Sequence, residues 1–217
     1  MLNEIMTGDA RVLAEQIPDA SVDLIFTDPI YSDKPLYDWL AECALRVLKP
    51  AGSLLCWSNG KWHRTNANWL EAGGLTYRYD FTCVRPNSAM MFGKIAARAN
   101  RLLWLDKNGA SKMGKAFIDG FISVQWSTIF SEWAWTKNPE YCQRAMLSFS
   151  PDGAIVFDPF AGHGTLPAVA KIAGRNLIAF EVDPERAQKA RERVANTQAI
   201  DPVFLEEQAA MFESEAA

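Results

Sequence analysis

The apolar residues of the chain follow two patterns, short continuous runs and stretches with helical spacing. Near the N-terminus, the run 21–26 ends at Thr27-Asp28-Pro29, which is typical of a buried parallel strand. Apolar residues at helical spacing over 36–48 predict a helix that stops at Lys49-Pro50-Ala51-Gly52. The run 53–57 predicts a second strand, so this region alternates strand and helix.

The C-terminal region predicts a second alternation. Asn138 followed by Pro139 predicts a helix start, because asparagine caps helices well and proline suits the first helical position. Asp183-Pro184 predicts the start of the last helix, and Glu185 in its first turn suits the helix dipole. The other predicted elements are a helix end near Phe149, strands over 154–157 and 176–180, and a helix over 166–172. Strand, loop, helix, strand, acid and helix in this order form a βαβ unit.

The segment between these two regions is less regular. Tyr77–Val84 and Arg101–Leu105 are strand-like, whereas 87–99 and 106–114 are expected to be loops. No internal repeat interrupts the pattern. Two strand–helix regions that flank an irregular segment predict an α/β fold.

The net charge of −4 is unevenly distributed along the chain. Residues 61–144 hold twelve Lys/Arg and six Asp/Glu, so this segment carries +6 and the remainder −10. It also contains seven of the eight tryptophans when Trp57 at its edge is counted. Basic residues interleaved with aromatic residues suit a surface that follows phosphates and stacks on bases, although a solvated basic face over an aromatic core explains the pattern equally well.

The length predicts one domain over 1–200, with 61–135 as a recognition insert. Residues 201–217 hold five acids and no base, and are expected to form a flexible tail. No apolar run approaches the roughly 18 residues of a membrane span, and the N-terminus lacks the pattern of a signal peptide. Because the four cysteines form no CxxC pair and only two histidines occur, we expect a reduced cytoplasmic protein without a metal centre.

A glycine-containing loop follows the predicted strand 154–157 and reads Asp158-Pro159-Phe160-Ala161-Gly162-His163-Gly164-Thr165. Glycines permit a tight turn and bring the backbone close to a ligand at the carboxyl edge of a parallel sheet. The loop is neither GxGxxG nor a phosphate-binding P-loop. About twenty residues later, Glu181 and Asp183 end the next strand, where a carboxylate can accept hydrogen bonds from both hydroxyls of a ribose. These residues predict a site for a nucleoside-containing cofactor.

A second motif, Thr27-Asp28-Pro29-Ile30-Tyr31, ends the first predicted strand and combines a carboxylate, a rigid turn and an aromatic ring. Such a set suits a flat base with an exocyclic amine, which is a poor nucleophile because its lone pair is delocalised into the ring. Asp28 and the Pro29 carbonyl can accept the two N–H bonds of the amine, and Tyr31 can stack on a base taken out of the duplex. By itself, however, Asp-Pro-x-Tyr is also a common turn.

Together the two motifs resemble those of the amino-group DNA methyltransferases, the N6-adenine and N4-cytosine enzymes of restriction-modification systems and phages. Asp158–Thr165 is similar to their cofactor motif DPFxGSGT, and Asp28–Tyr31 to their catalytic motif DPPY or SPPY. The catalytic motif comes first, as in the permuted beta arrangement of the family. Thr7-Gly8-Asp9-Ala10 and Arg46–Gly52 resemble further segments of these enzymes.

This resemblance implies a Rossmann-like class I methyltransferase fold, with a mostly parallel seven-stranded sheet and helices on both faces. It implies that S-adenosyl-L-methionine is the cofactor, and that its methyl group passes directly to adenine N6 of a flipped-out base in double-stranded DNA. The implied catalytic residues are Asp28, Pro29, Ile30 and Tyr31. The residues implied for the cofactor are Asp9 on its adenine amine, Glu181 on its ribose, and Ala10, Asp158, Pro159, Phe160, Ala161, Gly162, Gly164, Thr165, Val182 and Asp183.

The chain departs from the family motifs at three points. Ile30 replaces the second proline, but the Asp28 carboxylate does not depend on it, so we expect activity to survive. His163 stands where serine is usual, and a neutral amine needs no strong base there. Asn138-Pro139 replaces a Lys-Pro pair, with Lys137 one residue earlier and expected near the methionine end of the cofactor.

The sequence leaves both the target base and the class of substrate open. Adenine is favoured because the motif begins with aspartate, whereas serine is more typical of cytosine-N4 enzymes. Methylation of RNA or of a protein glutamine is a second alternative, although such enzymes usually present Asn-Pro-Pro-Tyr. Ile30 keeps open a third, a nucleic-acid-binding relic without activity. A second copy of the chain is a candidate partner because the insert is short. The residues expected to contact DNA are Arg85, Asn87, Lys94, Arg98, Arg101 and Lys112.

Overall fold

The computed structural model describes residues 1–84, 90–107, 117, 119–122 and 137–197. Their strands are β1 (Glu4–Thr7), β2 (Val22–Thr27), β3 (Leu48–Asn59), β4 (Thr76–Val84), β5 (Met90–Phe92), β6 (Ile95–Ala97), β7 (Ala99–Asp106), β8 (Phe121–Ile122), β9 (Ile155–Asp158) and β10 (Asn176–Glu181). Their α-helices are α1 (Ala10–Leu13), α2 (Lys34–Val47), α3 (His63–Ala72), α4 (Pro139–Phe149), α5 (Thr165–Ile172) and α6 (Pro184–Asn196).

The main sheet has the strand order β1-β10-β9-β2-β3-β7-β4-β8. The first five strands run parallel, and β7 is antiparallel to both β3 and β4. The mostly parallel seven-stranded sheet predicted from the sequence is therefore confirmed. The two-residue strand β8 adds a short parallel edge next to β4.

Helices cover both faces of this sheet and bury one hydrophobic cluster on each. The first cluster joins α4, α5 and α6 to strand residues such as Phe26 and Trp57. The second joins α1, α2 and α3 to strand residues such as Ile25 and Cys56. Because successive strand residues point to opposite faces, neighbours in β2 and β3 belong to different clusters. The predicted α/β architecture with helices on both faces is confirmed.

The helices of the C-terminal region begin where the sequence predicts. The side chain of Asn138 accepts a 2.7 Å hydrogen bond from the N–H of Tyr141, and a proline follows it at the first helical position. Asp183 accepts hydrogen bonds from the N–H groups of Glu185 and Arg186 at 2.9 and 3.0 Å, and it is also followed by a proline. Such caps satisfy backbone donors that the first helical turn leaves unpaired.

The residues at which α2 was expected to stop, 49–52, are part of β3. Leu48 pairs with Val22, and the next pairing joins Ser53 to Leu24, so four residues of β3 bulge out opposite a single residue of β2. The helix does stop before this bulge, as predicted. The strand begins earlier than the predicted 53–57 because the backbone pairs with β2 on both sides of the bulge, which a local pattern does not reveal.

A short hairpin, β5–β6, occupies part of the segment predicted as a loop over 87–99. Its two strands pair antiparallel in a separate sheet, and Gly93 at the turn has a φ of +60°. The loop prediction was wrong for these residues, because strands of three residues are too short to show a periodic pattern. Residues 85–89 and 108–116 lie outside the described residues, as does the tail 201–217.

The four cysteines are all buried in the core, and none forms a disulfide. Cys56 and Cys83 lie on strands, as the sequence predicted. Burial raises the pKa of the Cys43 thiol to about 11, and it also raises the pKa of Cys56 and Cys142. Among the described residues, no helix is long and apolar enough to cross a membrane.

Candidate active site

The two sequence motifs meet at the carboxyl edge of the sheet. The strands β2 and β9 are parallel neighbours, with Ile25 opposite Phe157, so both motifs follow at the same edge. From this pair the chain continues to β3 on one side and to β10 on the other, which makes it the switch point where open α/β folds bind ligands. The Thr27 hydroxyl donates a 2.9 Å hydrogen bond to the buried Asp158 carboxyl group.

A cleft of about 350 Å³ opens beside this junction. Its walls combine apolar side chains with carboxylates, which suits a ligand that carries both a flat ring and hydrogen-bond donors. A larger cavity of about 690 Å³ between β1, α5 and α6 contains none of the predicted residues, so chemistry rather than size selects the smaller cleft. The predicted residues that line the cleft are Asp9, Ala10, Asp28, Ile30, Pro159, Phe160, Gly162, Glu181 and Val182.

Glu181 ends β10 with its carboxylate held by two backbone donors. Its Oε2 accepts a 2.8 Å hydrogen bond from the N–H of Gly162, and its Oε1 accepts one of 3.0 Å from the N–H of Asp183. A carboxylate oxygen can accept two hydrogen bonds, so one site on each oxygen remains for a ligand. The carboxylate is thus oriented in advance and keeps two acceptor positions for a pair of neighbouring hydroxyl groups.

The two glycines of the loop, Gly162 and Gly164, are needed for different reasons. Gly162 has a φ of +53°, and a Cβ atom added there would meet no atom within 4 Å. It therefore borders open space at the cleft. Gly164 has a φ of +80°, and a Cβ there would lie 2.9 Å from the Cα and Cβ atoms of Ala190. Gly164 is required because the start of α5 packs directly against α6.

Asp9 contributes a further carboxylate to the cleft, at the start of α1. Its side chain accepts from the backbone N–H of Arg11 at 2.9 Å and from the Arg11 guanidinium at 2.6 Å. These hydrogen bonds hold the pKa of Asp9 below its ordinary value. The ionised carboxylate is 39% exposed, so a ligand can still reach it.

The Asp28 carboxylate is held on both of its oxygens. The Tyr31 hydroxyl donates a 2.8 Å hydrogen bond to Oδ1, and the Lys137 ammonium donates to Oδ2. Tyr31, predicted to stack on a base, thus also orients the carboxylate through its hydroxyl. The sequence did not predict the contact of Lys137 with Asp28, because 109 residues separate the pair and no local pattern marks it.

Asn66 ties the loop that carries Tyr31 to the helix α3. Its side-chain amide donates a 2.8 Å hydrogen bond to the Tyr31 carbonyl, and its own oxygen accepts a 2.6 Å hydrogen bond from the Ser58 hydroxyl. Asn66 and Ser58 are both buried. The sequence offers no signal for this contact, because Asn66 lies on a helix outside both motifs.

Several predicted residues do not line this cleft. Asp158 is buried and also accepts a 3.1 Å hydrogen bond from the N–H of Phe160, so it joins the loop to β2. Burial raises the pKa of Asp158 to about 7, while the hydrogen bonds from Thr27 and Phe160 oppose this shift. The predicted residues that do not line the cleft are Pro29, Tyr31, Asp158, Ala161, Gly164, Thr165 and Asp183.

His163 lies among basic side chains of α6. Burial lowers its pKa, and the neighbouring charges of Arg186, Arg193 and Lys189 lower it further. His163 is not among the residues that line the cleft.

The predicted DNA-contact residues fall into three groups. Lys94 and Arg98 are exposed, on the turn of the hairpin β5–β6 and directly after it. Arg101 forms an ion pair of 3.1 Å with Asp80 and donates to the Thr82 hydroxyl. The remaining candidates lie outside the described residues, namely Arg85, Asn87 and Lys112.

Comparison with known proteins agrees with the geometry. A family model for N6/N4-type DNA methylases matches residues 22–192. The type II methyltransferase M.BamHI of Bacillus amyloliquefaciens is 26% identical over 247 aligned residues, which cover 90% of this chain and 57% of that protein. This chain thus spans little more than half the length of that relative.

Two solved structures share the fold. The M1.HpyAVI–SAM complex superposes with a TM-score of 0.75 at 22% identity, and covers 88% of this chain and 98% of that one. The PvuII DNA methyltransferase, described as cytosine-N4-specific, superposes with a TM-score of 0.74 at 16% identity, and covers 97% and 92% of the two chains.

The two glycines predict a contrast in stability. Gly164→Ala should lower the free energy of unfolding by roughly 2–4 kcal/mol, because it combines left-handed backbone strain with a clash against α6. Gly162→Ala should cost only about 1 kcal/mol, from backbone strain alone. Urea denaturation of both variants measures the difference, and equal losses would contradict the assignment of Gly164 to packing.

Asp158 predicts a pH-dependent contribution to stability. An unfolded aspartate titrates near pH 4, roughly three units below the folded value of about 7, so the proton stabilises the folded state. This contribution is complete below about pH 4 and is lost as the pH rises through 7. The unfolding free energy of the wild type minus that of Asp158→Asn should therefore fall by roughly 3–4 kcal/mol from pH 4 to 8. A constant or rising difference in denaturant titrations would show that Asp158 is not protonated in this way.

Proposed function

The chain belongs to the N6/N4 DNA methylase family, and on this premise we propose that it transfers a methyl group from S-adenosyl-L-methionine to an exocyclic amine of a base in DNA. The expected acceptor is adenine N6, and cytosine N4 is the second candidate. The observation that carries the proposal is the convergence of the Asp28 turn and the Gly162–Glu181 contact on one cleft. The proposed catalytic carboxylate, Asp28, and the proposed ribose-binding carboxylate, Glu181, thereby line the same cleft.

The residues of the cleft fit the proposed cofactor. Glu181 keeps one acceptor site on each oxygen for the two ribose hydroxyls, and Asp9 can accept from the adenine amine. Phe160 and Val182 supply apolar surface for a flat ring, and the space above Gly162 is open. When bound, S-adenosyl-L-methionine supplies a methyl group activated by its positively charged sulfur.

In the proposed mechanism, the protein contributes orientation and electrostatics rather than a covalent intermediate. Asp28 and the Pro29 carbonyl accept the two N–H bonds of the target amine, which localises the lone pair on nitrogen and directs it at the methyl group. Each oxygen of Asp28 has a second acceptor position beyond its contact with Tyr31 or Lys137. The same carboxylate offsets the positive charge that develops on the amine, and can accept the proton that the product releases.

The preference for adenine rests on the aspartate that begins the catalytic motif. Adenine and cytosine both present an amine next to a ring nitrogen, so Asp28 and Pro29 can serve either base. The fold makes no choice between them, because one structural neighbour is described as cytosine-N4-specific. The nature of the methylated base in the reaction product decides this point.

DNA is expected to approach the carboxyl edge of the sheet. Because β7 is antiparallel to both β3 and β4, the end of β4 at Val84 and the start of β7 at Ala99 lie at the edge where β2 and β3 end. The hairpin β5–β6 therefore belongs to the segment that joins two strands at the edge that carries the cleft. The cations of Lys94 and Arg98 pair with no carboxylate of the described residues, which leaves them available for phosphates.

Lys61 and Arg64 extend this basic edge, and were not among the predicted contacts. They are exposed and follow the end of β3, where Lys61 lies 5.1 Å from the ring centroid of Trp62. Trp62 in turn packs against Trp69 of α3. A cation and an aromatic ring at this point suit the backbone and the bases that flank a flipped nucleotide.

Replacing Asp28 tests the proposed reaction. Asp28→Ala should reduce transfer of a labelled methyl group to DNA by about 100-fold or more, because the amine loses its main orienting contact. Its affinity for S-adenosylhomocysteine should stay within a few-fold of the wild type. Glu181→Ala should instead act mainly on cofactor binding, with affinity for S-adenosylhomocysteine reduced by about 10- to 100-fold.

Mass spectrometry of the digested DNA then identifies the product as N6-methyladenine or N4-methylcytosine. Methyl transfer to RNA or to a protein glutamine, with none to DNA, would assign the enzyme to one of those substrates instead. Cofactor binding without transfer to any of these substrates would contradict the enzymatic proposal and favour a protein that binds nucleic acid without modifying it.

The hairpin predicts a change in the salt dependence of DNA binding. Lys94→Ala and Arg98→Ala should each reduce the slope of log affinity against log salt concentration by about one, because each removes one phosphate contact. Lys49→Ala, at the opposite end of β3, should leave the slope unchanged. Fluorescence anisotropy with a labelled duplex measures these slopes, and unchanged slopes in both hairpin variants would exclude the hairpin from the DNA interface.

A further inference from the structure

The turn at Asp28–Tyr31 lacks the second proline of the family motif. The side chain of Ile30, which replaces that proline, does not fix the conformation of the turn. Ile30 is 67% exposed and lies on the surface of the cleft. A proline would restrict the backbone at this position, whereas isoleucine leaves it freer. The exposed Ile30 side chain therefore leaves the turn to be held by other contacts.

We propose that Lys137 is a positioning residue for methyl transfer, whose ammonium fixes the Asp28 carboxylate in the orientation that meets the target amine. The inference rests on the proposed function, because it assigns Lys137 a part in that reaction. The family motifs do not include this residue, since Lys137 lies one residue before the Asn138-Pro139 pair and outside both motifs.

The surroundings of Lys137 are those of a structured, partly buried cation. Its side chain is 12% exposed, against 31% for Asp28, with which it forms an ion pair. The ammonium lies 5.7 Å from the ring centroid of Tyr31 and 5.8 Å from that of Trp57. A lysine is rarely buried to this extent unless it is paired, and two aromatic faces add to its stabilisation.

The backbone of Lys137 is fixed by the start of α4. The next residue, Asn138, is buried and caps the helix through the N–H of Tyr141. The ring of Tyr141 packs against Trp57, with 5.6 Å between centroids. The Lys137 ammonium is therefore positioned by the segment that begins α4, whereas the Asp28 carboxylate is positioned by the turn that follows β2.

Two anchors on the two oxygens restrict the rotation of the carboxylate. Tyr31 holds Oδ1 from within the same turn, and Lys137 holds Oδ2 from a segment that the turn does not control. Without Lys137, the carboxylate keeps only the anchor that moves with the turn. A displacement of about 1 Å in such a group can cost about 100-fold in rate.

The experiment compares three lysine variants. Lys137→Met keeps the length of the side chain and removes its charge, and Lys137→Arg restores the charge. Lys49→Met is the matched control, because Lys49 forms a 2.7 Å ion pair with Asp23 near the start of the same strand, β2. Steady-state kinetics give kcat and KM for DNA, calorimetry gives the affinity for S-adenosylhomocysteine, and thermal unfolding verifies that each variant is folded.

We expect Lys137→Met to lower kcat by about 100-fold, with KM for DNA and affinity for S-adenosylhomocysteine within about 3-fold of the wild type. Lys137→Arg should recover at least about 10-fold of this loss. Lys49→Met should react at the wild-type rate. A kcat within about 3-fold for Lys137→Met would overturn the inference, as would a loss of S-adenosylhomocysteine affinity that matches the loss of rate.

Failure of the proposed function gives a different result. If the wild type methylates no substrate, the proposed function fails, and the pairing itself is tested by a double-mutant cycle in urea denaturation. The cycle combines Lys137→Met with Asp28→Asn. Independent effects of the two changes on stability would then also overturn the assigned contact, whereas coupled effects would support it.

Discussion

The pairing of β2 with β9 is the constraint on which the site depends. It brings together two motifs that are 131 residues apart at Thr27 and Asp158, and the hydrogen bond between these side chains joins them inside the core. Neither loop by itself encloses a ligand. Because the two strands are parallel neighbours from which the chain departs in opposite directions, their loops separate and leave a cleft between them.

Four carboxyl groups converge at this edge, and the fold stabilises each of them differently. Asp158 is buried, and this burial raises its pKa to about 7. Glu181 is held by backbone N–H groups, Asp9 by the Arg11 guanidinium, and Asp28 by a lysine and a tyrosine. Asp9, Asp28 and Glu181 line the cleft, whereas Asp158 does not. Such a surface suits a ligand that brings hydroxyl groups, amines and positive charge.

The motif residues divide between binding and support. Gly162 borders open space, but Gly164, two residues later, is required by the contact between α5 and α6. Tyr31 orients Asp28 through its hydroxyl, and the loop behind it is tied to α3 by Asn66. Some residues of each motif are therefore required for packing or orientation, and others border the cleft. In this chain Ile30 replaces the second proline, and Lys137 and Asn66 contact the same turn from distant segments.

The sequence did not predict β1 or α1. It did determine β2, α2, most of β3, the strands and helices of the C-terminal region, the order of the motifs and most residues of the cleft. These features depend on apolar periodicity, helix caps and glycine turns, and each of these signals lies within a few neighbouring residues of the sequence. It did not determine the bulge in β3 or the hairpin β5–β6, because the first is created by pairing with another strand and the second is too short to show a period.

Only the tertiary structure decided how the Asp28 carboxylate is held. Lys137 and Asn66 act on the turn at Asp28–Tyr31 from 109 and 35 residues away. Nothing in their own neighbourhood in the sequence distinguishes them from other lysines and asparagines. Their contacts arise because the sheet and the helices α3 and α4 bring distant segments to the same edge, and a one-dimensional pattern contains no measure of that proximity.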